Sequence, residues 1–296
     1  MITVSQCYLY PLKAAQGRKV DRLQLSLRGI VGDHCWMLVQ DSAENTKKPL
    51  LPQTANFEKL ISVKTLSQDG ETCFKTPGPA PLIIKDISLQ NRIEISILKE
   101  TYSVIDAGTQ AAQWFTSLLN TPCRLVKMPD DFKRHPPEQY ARRSDQISFV
   151  DEMPISLATL PSLVELHKHM PPSLNIPITR FRPNIILDGN SAFEEDIMYE
   201  IKIGDHVVLD IVKPIAHDKM VTRDQFSGKI SSPQPLKVLR EQRLGQSLDL
   251  SGAFFGQHAL PRKFGYINVG DPVKVLSTKP LHPALKRILL KTKAAP

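Results

Sequence analysis

Two short segments combine residue types that could do chemistry. The first is Arg180-Phe181-Arg182-Pro183-Asn184, in which two guanidinium groups flank a phenylalanine beside an apolar run. Arginine can bind phosphate or carboxylate through two parallel hydrogen bonds, and asparagine adds both a donor and an acceptor. If the segment is a strand, alternation places Arg180, Arg182 and Asn184 on one face and predicts an anion-binding row. A solvent-facing strand edge explains the pattern equally well.

The second segment covers residues 213–224 and follows a β-branched run. Its neighbouring residues His217 and Asp218 could transfer protons or bind a metal. Adjacent side chains rarely converge on one atom, so a solvated loop is the alternative interpretation. The sequence contains no GxSxG, Walker A, GxGxxG or HExxH motif. The residues alone therefore indicate an α+β protein that could be an anion-binding enzyme.

The first part of the chain must supply mostly strands. Strand-like runs alternate with turn signals, and we predict strands over residues 2–10, 20–27, 35–40, 60–65, 82–84, 92–97 and 123–128. Residues 108–120 have helical spacing, with Ala112, Phe115 and Leu118-Leu119 on one face. The polar, proline-containing residues 128–146 form the best candidate for a linker or mobile loop.

The second part mixes short helices with strands. We predict helices over residues 161–170 and 235–242, the first ended by Pro171-Pro172, and strands over 181–187, 199–203, 207–212 and 273–276. Residues 283–293 suit a short basic amphipathic helix, for which a solvated terminal helix is the preferred interpretation. The predicted fold class is strand-rich α+β, with domains at 1–125 and 126–278 and a basic tail at 279–296.

The composition describes a basic globular chain. Its 296 residues contain 38 Lys+Arg and 30 Asp+Glu, a formal net charge of +8. Because the basic residues are spread out and not interleaved with aromatics, we expect no nucleic-acid partner. A pocket for an anionic small molecule would use the same charge. With no secretion pattern and no apolar run near the ~18 residues that span a bilayer, we expect a cytoplasmic protein without a membrane span.

The four cysteines are scattered over the first part of the chain, at Cys7, Cys35, Cys73 and Cys123. The absence of a CxxC pair argues against a zinc ribbon, an iron–sulfur cluster and a thioredoxin-type site. The pattern fits a reducing compartment. No cysteine follows residue 123.

Several motifs, in order, resemble the two-domain MOSC proteins, the group that includes the mitochondrial amidoxime-reducing component and bacterial relatives. They are YPLKAAQG at 10–17, RGIVGDHCWMLV at 28–39, QWF at 113–115 with PCRLV at 122–126, RFRPN at 180–184, AFEED at 192–196, and FGQ at 255–257 with INVGDPV at 267–273. The resemblance covers residues 4 to 276. It implies an N-terminal MOSC-type β-barrel domain followed by a C-terminal MOSC β-barrel-like domain.

The resemblance also implies a function and a cofactor. Such proteins carry a molybdenum-pterin cofactor between the two domains, and many reduce N-hydroxylated small molecules with electrons from an external reductase. By position, Lys13, Arg182 and Asn184 keep the family's cofactor-binding identities, and Thr159 falls where relatives have Ser or Thr. Basic residues at this place would neutralise the pterin phosphate.

Five positions depart from the family pattern at the presumed site. Asp218 stands where the family has its molybdenum-ligating cysteine, and His217 replaces the neighbouring arginine. His34 and Thr54 replace two further arginines, and Ala14 replaces a serine. The motifs around these positions are intact, so the changes concentrate at the site.

Two explanations follow from these departures. A carboxylate binds high-valent metals, so Asp218 could ligate an altered molybdenum centre. Alternatively, the loss of positive charge points to a cofactor-free, repurposed enzyme in which His34, His217 and Asp218 transfer protons on a small acidic substrate. A non-catalytic binding module with a filled cleft is a third hypothesis. Whether the protein is an enzyme therefore stays open at this point.

Overall fold

The computed structural model describes residues 1–44, 46–50, 56–68, 70–85 and 87–286. The first part of the chain contains strands β1 (Ile2–Leu9), β2 (Arg18–Val20), β3 (Arg22–Ser26), β4 (Gly29–Ile30), β5 (Trp36–Gln40), β6 (Thr46–Lys47), β7 (Lys64–Gln68), β8 (Glu71–Lys75), β9 (Leu82–Ile84), β10 (Arg92–Ile97), β11 (Glu100–Asp106) and β12 (Cys123–Lys127). Its helices are α1 (Phe57–Ile61) and α2 (Thr109–Leu119).

The second part is also rich in strands. They are β13 (Ile155–Thr159), β14 (Ile185–Asp188), β15 (Met198–Ile203), β16 (Val207–His217), β17 (Leu244–Gln246), β18 (Ser251–Lys263), β19 (Tyr266–Asn268) and β20 (Pro272–Thr278). The helices are α3 (Leu160–His167) and α4 (Gln234–Gln242), with short 3-10 helices at Glu138–Tyr140, Ile178–Phe181, Glu194–Asp196 and Lys219–Thr222. The predicted strand-rich α+β fold is confirmed.

Seven strands close into a barrel in the order β13-β14-β1-β20-β15-β16-β18, and β18 pairs back with β13. Strand β1 lies between β14 and β20, so the first strand of the chain belongs to the barrel of the second part. Fully buried aliphatic side chains, including Leu157, Ile185 and Ile201, fill the barrel. The sequence-based boundary at 125/126 therefore does not separate the two parts in space.

The remainder of the first part forms its own core beside the barrel. A five-stranded sheet, β5-β12-β11-β10-β6, and a three-stranded sheet, β7-β8-β9, pack with α1 and α2. Phe74 lies edge-on to both Trp36 and Phe115, with ring centroids 5.4 and 5.6 Å apart. The predicted helix is confirmed as α2, which ends at Asn120 in the left-handed conformation at φ 51°.

The segment predicted as a strand over residues 181–187 takes a different form. The 3-10 helix Ile178–Phe181 comes first, Arg182 follows in the left-handed conformation at φ 53°, and β14 begins only at Ile185. Pro183 lacks an N–H and cannot donate to a sheet ladder, which accounts for the late start. The predicted alternation of Arg180, Arg182 and Asn184 on one strand face is therefore wrong.

The segment after residue 212 is also more ordered than predicted. Strand β16 continues to His217, so residues 213–217 are strand and not loop. Proline at position 214 is tolerated because the register with β18 shifts on both sides of it. The 13-residue strand β18 was not predicted, since glycines at 252 and 256 and a proline at 261 weaken its pattern. The strand predicted over 60–65 is wrong in part, because residues up to Ile61 belong to α1.

Residues 128–146, predicted as a linker, pack against the rest of the protein. Phe132, Arg134 and Asp145 are buried. The Arg134 guanidinium donates to the carbonyl oxygens of Ser148, at 3.1 Å, and Asp151, at 3.0 Å. The segment is therefore a fixed connection and not a solvated linker.

Two predictions reach the limits of the described chain. Residues 283–286 are helical, while the remainder of the predicted C-terminal helix lies outside the described residues, as does Thr54. None of the described helices is both long enough and apolar enough to cross a membrane.

Candidate functional site

Lys13 follows β1 and points across to the start of the second part. Its backbone N–H donates to the Trp36 carbonyl at 2.9 Å, which fixes its place beside β5. Its Nζ donates to the Phe149 carbonyl at 2.8 Å and forms an ion pair with Asp151 at 2.6 Å. Lys13 therefore connects the first part of the chain to the segment that leads into β13. We call the region that Lys13, His34 and Arg182 border around Asp151 the groove.

His34 lies in a turn where its backbone φ is 46°. The buried Asp33 fixes the ring, because its Oδ2 lies 2.5 Å from His34 Nδ1. The other oxygen, Asp33 Oδ1, accepts from the Tyr10 N–H at 2.7 Å and from Asn184 Nδ2 at 3.1 Å. The carboxylate holds Nδ1 and leaves Nε2 for other partners, an arrangement suited to proton transfer.

Asn184 acts inside the protein. Its Oδ1 accepts from the Ser156 N–H at 3.0 Å and its Nδ2 donates to the Tyr8 carbonyl at 3.3 Å, and the side chain is 4% exposed. It ties β1, β13 and Asp33 together. In this structure Asn184 positions the wall of the groove.

Two guanidinium groups bring positive charge to this region: Arg180 is buried and Arg182 is half-buried. The Arg182 guanidinium stacks on the Tyr10 ring at 4.4 Å and its Nη1 donates to Gln225 Oε1 at 2.7 Å, while its buried Nη2 has no protein partner. Arg180 is 5% exposed, its Nε and Nη1 have no protein partner, and its contact with Asp224 is long, at 3.5 Å. Burial lowers the pKa of both arginines. Buried donors without acceptors are rare and costly, so this pair fits an anionic ligand.

His217 ends β16 beside the arginines. Its Nε2 donates to the Phe255 carbonyl at 2.8 Å, and its ring meets the Phe181 ring edge-on at 5.2 Å. Burial lowers the pKa of His217 to about 4, although the Phe255 carbonyl and Asp218 oppose this. The imidazole is thus neutral near pH 7 and a poor proton donor there.

Asp218 lies at the rim. Its carboxylate is exposed, and its Oδ1 accepts from the Met220 N–H at 2.8 Å, which caps the 3-10 helix Lys219–Thr222. Met220 packs against the core of the first part together with Ala14 and Cys35. The rim therefore contacts both parts of the protein.

Asp151 shows that the groove is open to solvent. Its side chain is 88% exposed, yet surrounding protein raises its pKa, and the charges of Lys13, His34 and Arg134 outweigh that effect and leave the pKa below its usual value. A side chain that is surrounded by protein and still reaches solvent lies in a recess. His258 on β18 is near enough to be affected by the charge of Asp151, and its buried Nδ1 has no hydrogen-bond partner among the described residues.

The predicted site residues thus fall into three groups. Lys13, His34 and Arg182 border the groove, with Asn184 behind them. His217 and Asp218 lie beside the arginines and at the rim. Thr159 lies apart from this set, because it is fully buried and caps α3.

The surroundings of Thr159 form a separate buried polar cluster. Its Oγ1 accepts from the Ser162 N–H at 3.3 Å and contacts Glu195 at 3.2 Å. Burial, and then the charge of Asp196, raise the pKa of Glu195. Asp196 in turn pairs with Arg243 at 2.8 Å. All the hydrogen bonds that the described residues give the Thr159 hydroxyl lie in this cluster.

Sequence reasoning missed four residues of the groove: Asp33, Asp151, Gln225 and His258. Of the four, Asp33 alone lies in one of the quoted motifs, as part of the Gly-Asp pair at 32–33, and could have been found from it. Gln225 could not be found because its partner, Arg182, lies far away in sequence. His258 could not be found because its place depends on the pairing of β18 with β16.

The chemistry of the groove fits an anion better than a thiolate-bound metal. Burial raises the pKa of Cys7 and of Cys35 to about 12, so neither thiol is ready to ligate. Over the described chain, no group of three His, Cys, Asp or Glu side chains is placed to hold a metal ion.

Comparisons with known proteins agree with the resemblance. The family model of the MOSC N-terminal beta barrel domain matches residues 1–122, and that of the MOSC domain matches residues 144–274. The chain belongs to the MOSC-domain proteins that carry this N-terminal domain.

Relatives in that family align along most of the chain. Mitochondrial amidoxime reducing component 2 of Rattus norvegicus is 30% identical, over 92% of this chain and 82% of that protein. The Bos taurus protein of the same description is 29% identical over the same shares. Molybdenum cofactor sulfurase of Bos taurus is 25% identical, over 87% of this chain and 32% of that protein.

Proposed function

We propose that the groove binds the molybdenum-pterin cofactor and that the protein reduces N-hydroxylated compounds with electrons from a separate reductase. The observation that carries the proposal is the pair of guanidinium groups of Arg180 and Arg182, each of which keeps at least one buried nitrogen without a protein acceptor. A phosphate group supplies such acceptors in charge-assisted hydrogen bonds. The amidoxime-reducing relatives support the reaction class.

Lys13 and Arg182 would hold the phosphate. The Tyr10 ring and Gln225 hold the Arg182 side chain in place. Binding a phosphate through Nη2 would therefore cost little side-chain entropy. Lys13 is paired with Asp151, which is exposed and can move away when an anion takes its place. A flexible lysine and a fixed arginine together suit a ligand that enters from solvent.

Asp218 would give the protein ligand to molybdenum, at the position where the motif resemblance places a cysteine. A carboxylate oxygen is a hard donor and suits a high-valent metal. When bound, the cofactor supplies two-electron transfer chemistry. The overall reaction breaks the N–O bond, consumes two electrons from the reductase and two protons, and releases water and the N–H compound.

His34 is the proton donor that the geometry favours. Asp33 orients its ring, whereas the low pKa of His217 leaves that imidazole neutral. We therefore assign proton delivery to His34 and a packing role at Phe181 to His217.

A cofactor-free enzyme is the second candidate, and one observation favours it. Lys13 and Arg182 each already have a protein partner, in Asp151 and Gln225. In that case the two arginines hold a small acidic substrate, and His34 with Asp33 transfers the proton.

Three variants, purified from a host that makes the cofactor, test the first proposal. Pterin is measured by fluorescence after oxidation and molybdenum by mass spectrometry. We expect Arg182→Gln to lose both, Asp218→Asn to keep pterin but lose molybdenum and activity, and Asp218→Cys to keep both. Arg240→Gln, an exposed arginine on α4, is the matched control.

The outcomes separate the candidates. Full pterin content in Arg182→Gln contradicts the phosphate site, and unchanged molybdenum in Asp218→Asn contradicts the ligand assignment. An absence of pterin and molybdenum from every variant and from the parent protein favours the cofactor-free enzyme.

A further inference from the structure

A cavity lies inside the second part of the chain, separate from the groove. Its volume of about 590 Å³ is in the range of pockets that hold small molecules. Its walls are the end of α3, the end of α4 with the residue that follows it, and the segments 191–197 and 281–285. No described residue that borders the groove lines this cavity. The cavity is therefore a second candidate site for a ligand.

Arg243 is the fixed cation of this cavity. It is 6% exposed, its Nη2 pairs with Asp196 at 2.8 Å, and its Nε donates to the Phe254 carbonyl at 3.3 Å. The Phe193 ring covers the guanidinium at 4.0 Å, and the Phe193 N–H donates to Ser162 Oγ at 2.7 Å. The third nitrogen, Nη1, has no acceptor among the described residues and is not fully buried. A buried guanidinium with one open nitrogen at a cavity suits a carboxylate ligand.

The three carboxylates that line the cavity differ in their partners. Glu165 pairs with Lys168 at 2.6 Å, and Asp196 pairs with Arg243. Glu194 accepts from one backbone N–H at 2.7 Å and forms no ion pair within the described part of the chain. Glu194 therefore leaves a negative charge at the cavity, which favours an ammonium group on the ligand.

Much of the remaining lining is apolar. Leu166 and Leu285 are buried, and Ile197 is 41% exposed, although it is a large aliphatic residue. His169 is the further titratable side chain of the described lining. Aliphatic side chains beside an open donor and an unpaired carboxylate suit a ligand with a small apolar body.

We propose that this cavity binds a free α-amino acid with an apolar side chain, which is a zwitterion at neutral pH. Its carboxylate accepts from Arg243, its ammonium group pairs with Glu194, and its side chain lies against the aliphatic lining. A purely anionic ligand would leave Glu194 without a cation, and a purely cationic ligand would leave Arg243 Nη1 without an acceptor. The inference goes beyond the proposed function, because this binding requires neither the cofactor nor the groove.

Calorimetric titration of the parent protein with L-leucine tests the proposal, and three analogues each remove one feature of the ligand. Leucinamide lacks the carboxylate and should bind at least about tenfold more weakly, as expected for a lost hydrogen bond between charged groups. N-acetyl-leucine lacks the ammonium group and should bind about two- to fivefold more weakly, because Glu194 is half-buried. Glycine lacks the apolar body and should bind at least about tenfold more weakly. Because Arg243 also pairs with the buried Asp196, changing the ligand avoids leaving that carboxylate unpaired.

Three variants locate the leucine site. Glu194→Gln keeps an oxygen that can accept from the backbone and should weaken leucine binding about two- to fivefold. Glu241→Gln removes the same charge from an exposed position on α4 outside the cavity, so this matched control should leave binding unchanged. Arg182→Gln changes the groove and should also leave leucine binding unchanged.

The inference and the proposed function fail separately. An absence of leucine binding, or equal affinities for leucine and either leucinamide or N-acetyl-leucine, overturns the inference. A loss of leucine affinity in Arg182→Gln but not in Glu194→Gln places the amino acid in the groove and also overturns it. These titrations do not depend on molybdenum or pterin content, which is the measurement that decides the proposed function.

Discussion

Replacing Gly228 with alanine probes the turn that follows Gln225, the partner of Arg182. Gly228 has φ +70°, and a Cβ built on it would lie 1.8 Å from the Glu58 carbonyl oxygen of α1. A left-handed conformation costs an alanine about 1–2 kcal/mol. Forcing the turn and α1 apart adds about 1–3 kcal/mol, as overpacking does elsewhere. We expect Gly228→Ala to lower the free energy of unfolding by about 2–5 kcal/mol.

Gly270→Ala is the matched control, because Gly270 has φ +94° and no atom lies within 4 Å of the position that a Cβ would take there. It should cost only the backbone contribution, about 1–2 kcal/mol. Urea denaturation of both variants measures the difference, for which we expect about 1–3 kcal/mol. Equal destabilisation of the two variants would refute the close contact between this turn and α1.

Three further predictions concern charged groups. Burial lowers the pKa of His217 from its ordinary 6.5 to about 4 in the folded protein, so between these pH values the unfolded state binds more protons. The free energy of unfolding therefore falls as the pH drops from 6.5 to 4. His217→Gln should reduce the pH dependence of that free energy, measured by urea denaturation, by about one proton. Burial raises the pKa of Glu195 in the folded protein, so the stability that its protonated side chain contributes is present at low pH and is lost as the pH rises through the folded pKa. Glu195→Gln should therefore keep its melting temperature at the pH values where the parent protein loses stability. The same pH profile of thermal unfolding in both proteins would contradict this assignment. Asp151→Asn removes the competitor for Lys13 and should tighten binding of inorganic phosphate about two- to fivefold by calorimetry, whereas weaker binding would contradict the role of Lys13.

The local sequence pattern was enough to predict helices and strands that bury one face at regular spacing. The spacing of Ala112, Phe115 and Leu118 was enough to predict α2, and all three side chains are buried. The same reasoning failed at residues 181–187, where a proline and a left-handed arginine interrupt the expected alternation. It also missed β18, whose glycines and prolines are compensated by pairing with three other strands. Such pairing depends on residues far away in sequence.

The site divides in the same way. Lys13 and Arg182 could be found from motif resemblance, because they occupy fixed places in short motifs. The roles of Asp33, Gln225 and Asp151 could not, because each depends on a partner between 43 and 151 residues away or on the groove between the two parts. Position 159 shows the limit of transfer by position, since its hydroxyl is taken up by the helix cap and Glu195.

The molybdenum and pterin content of the 296-residue chain, purified from a host that makes the cofactor, decides whether the groove is a cofactor site. We expect close to one molybdenum and one pterin per chain, held in a groove where Arg182 binds the phosphate and Asp218 the metal. Folded protein that carries neither molybdenum nor pterin, and takes up neither when the isolated cofactor is added, would show that the groove serves another ligand.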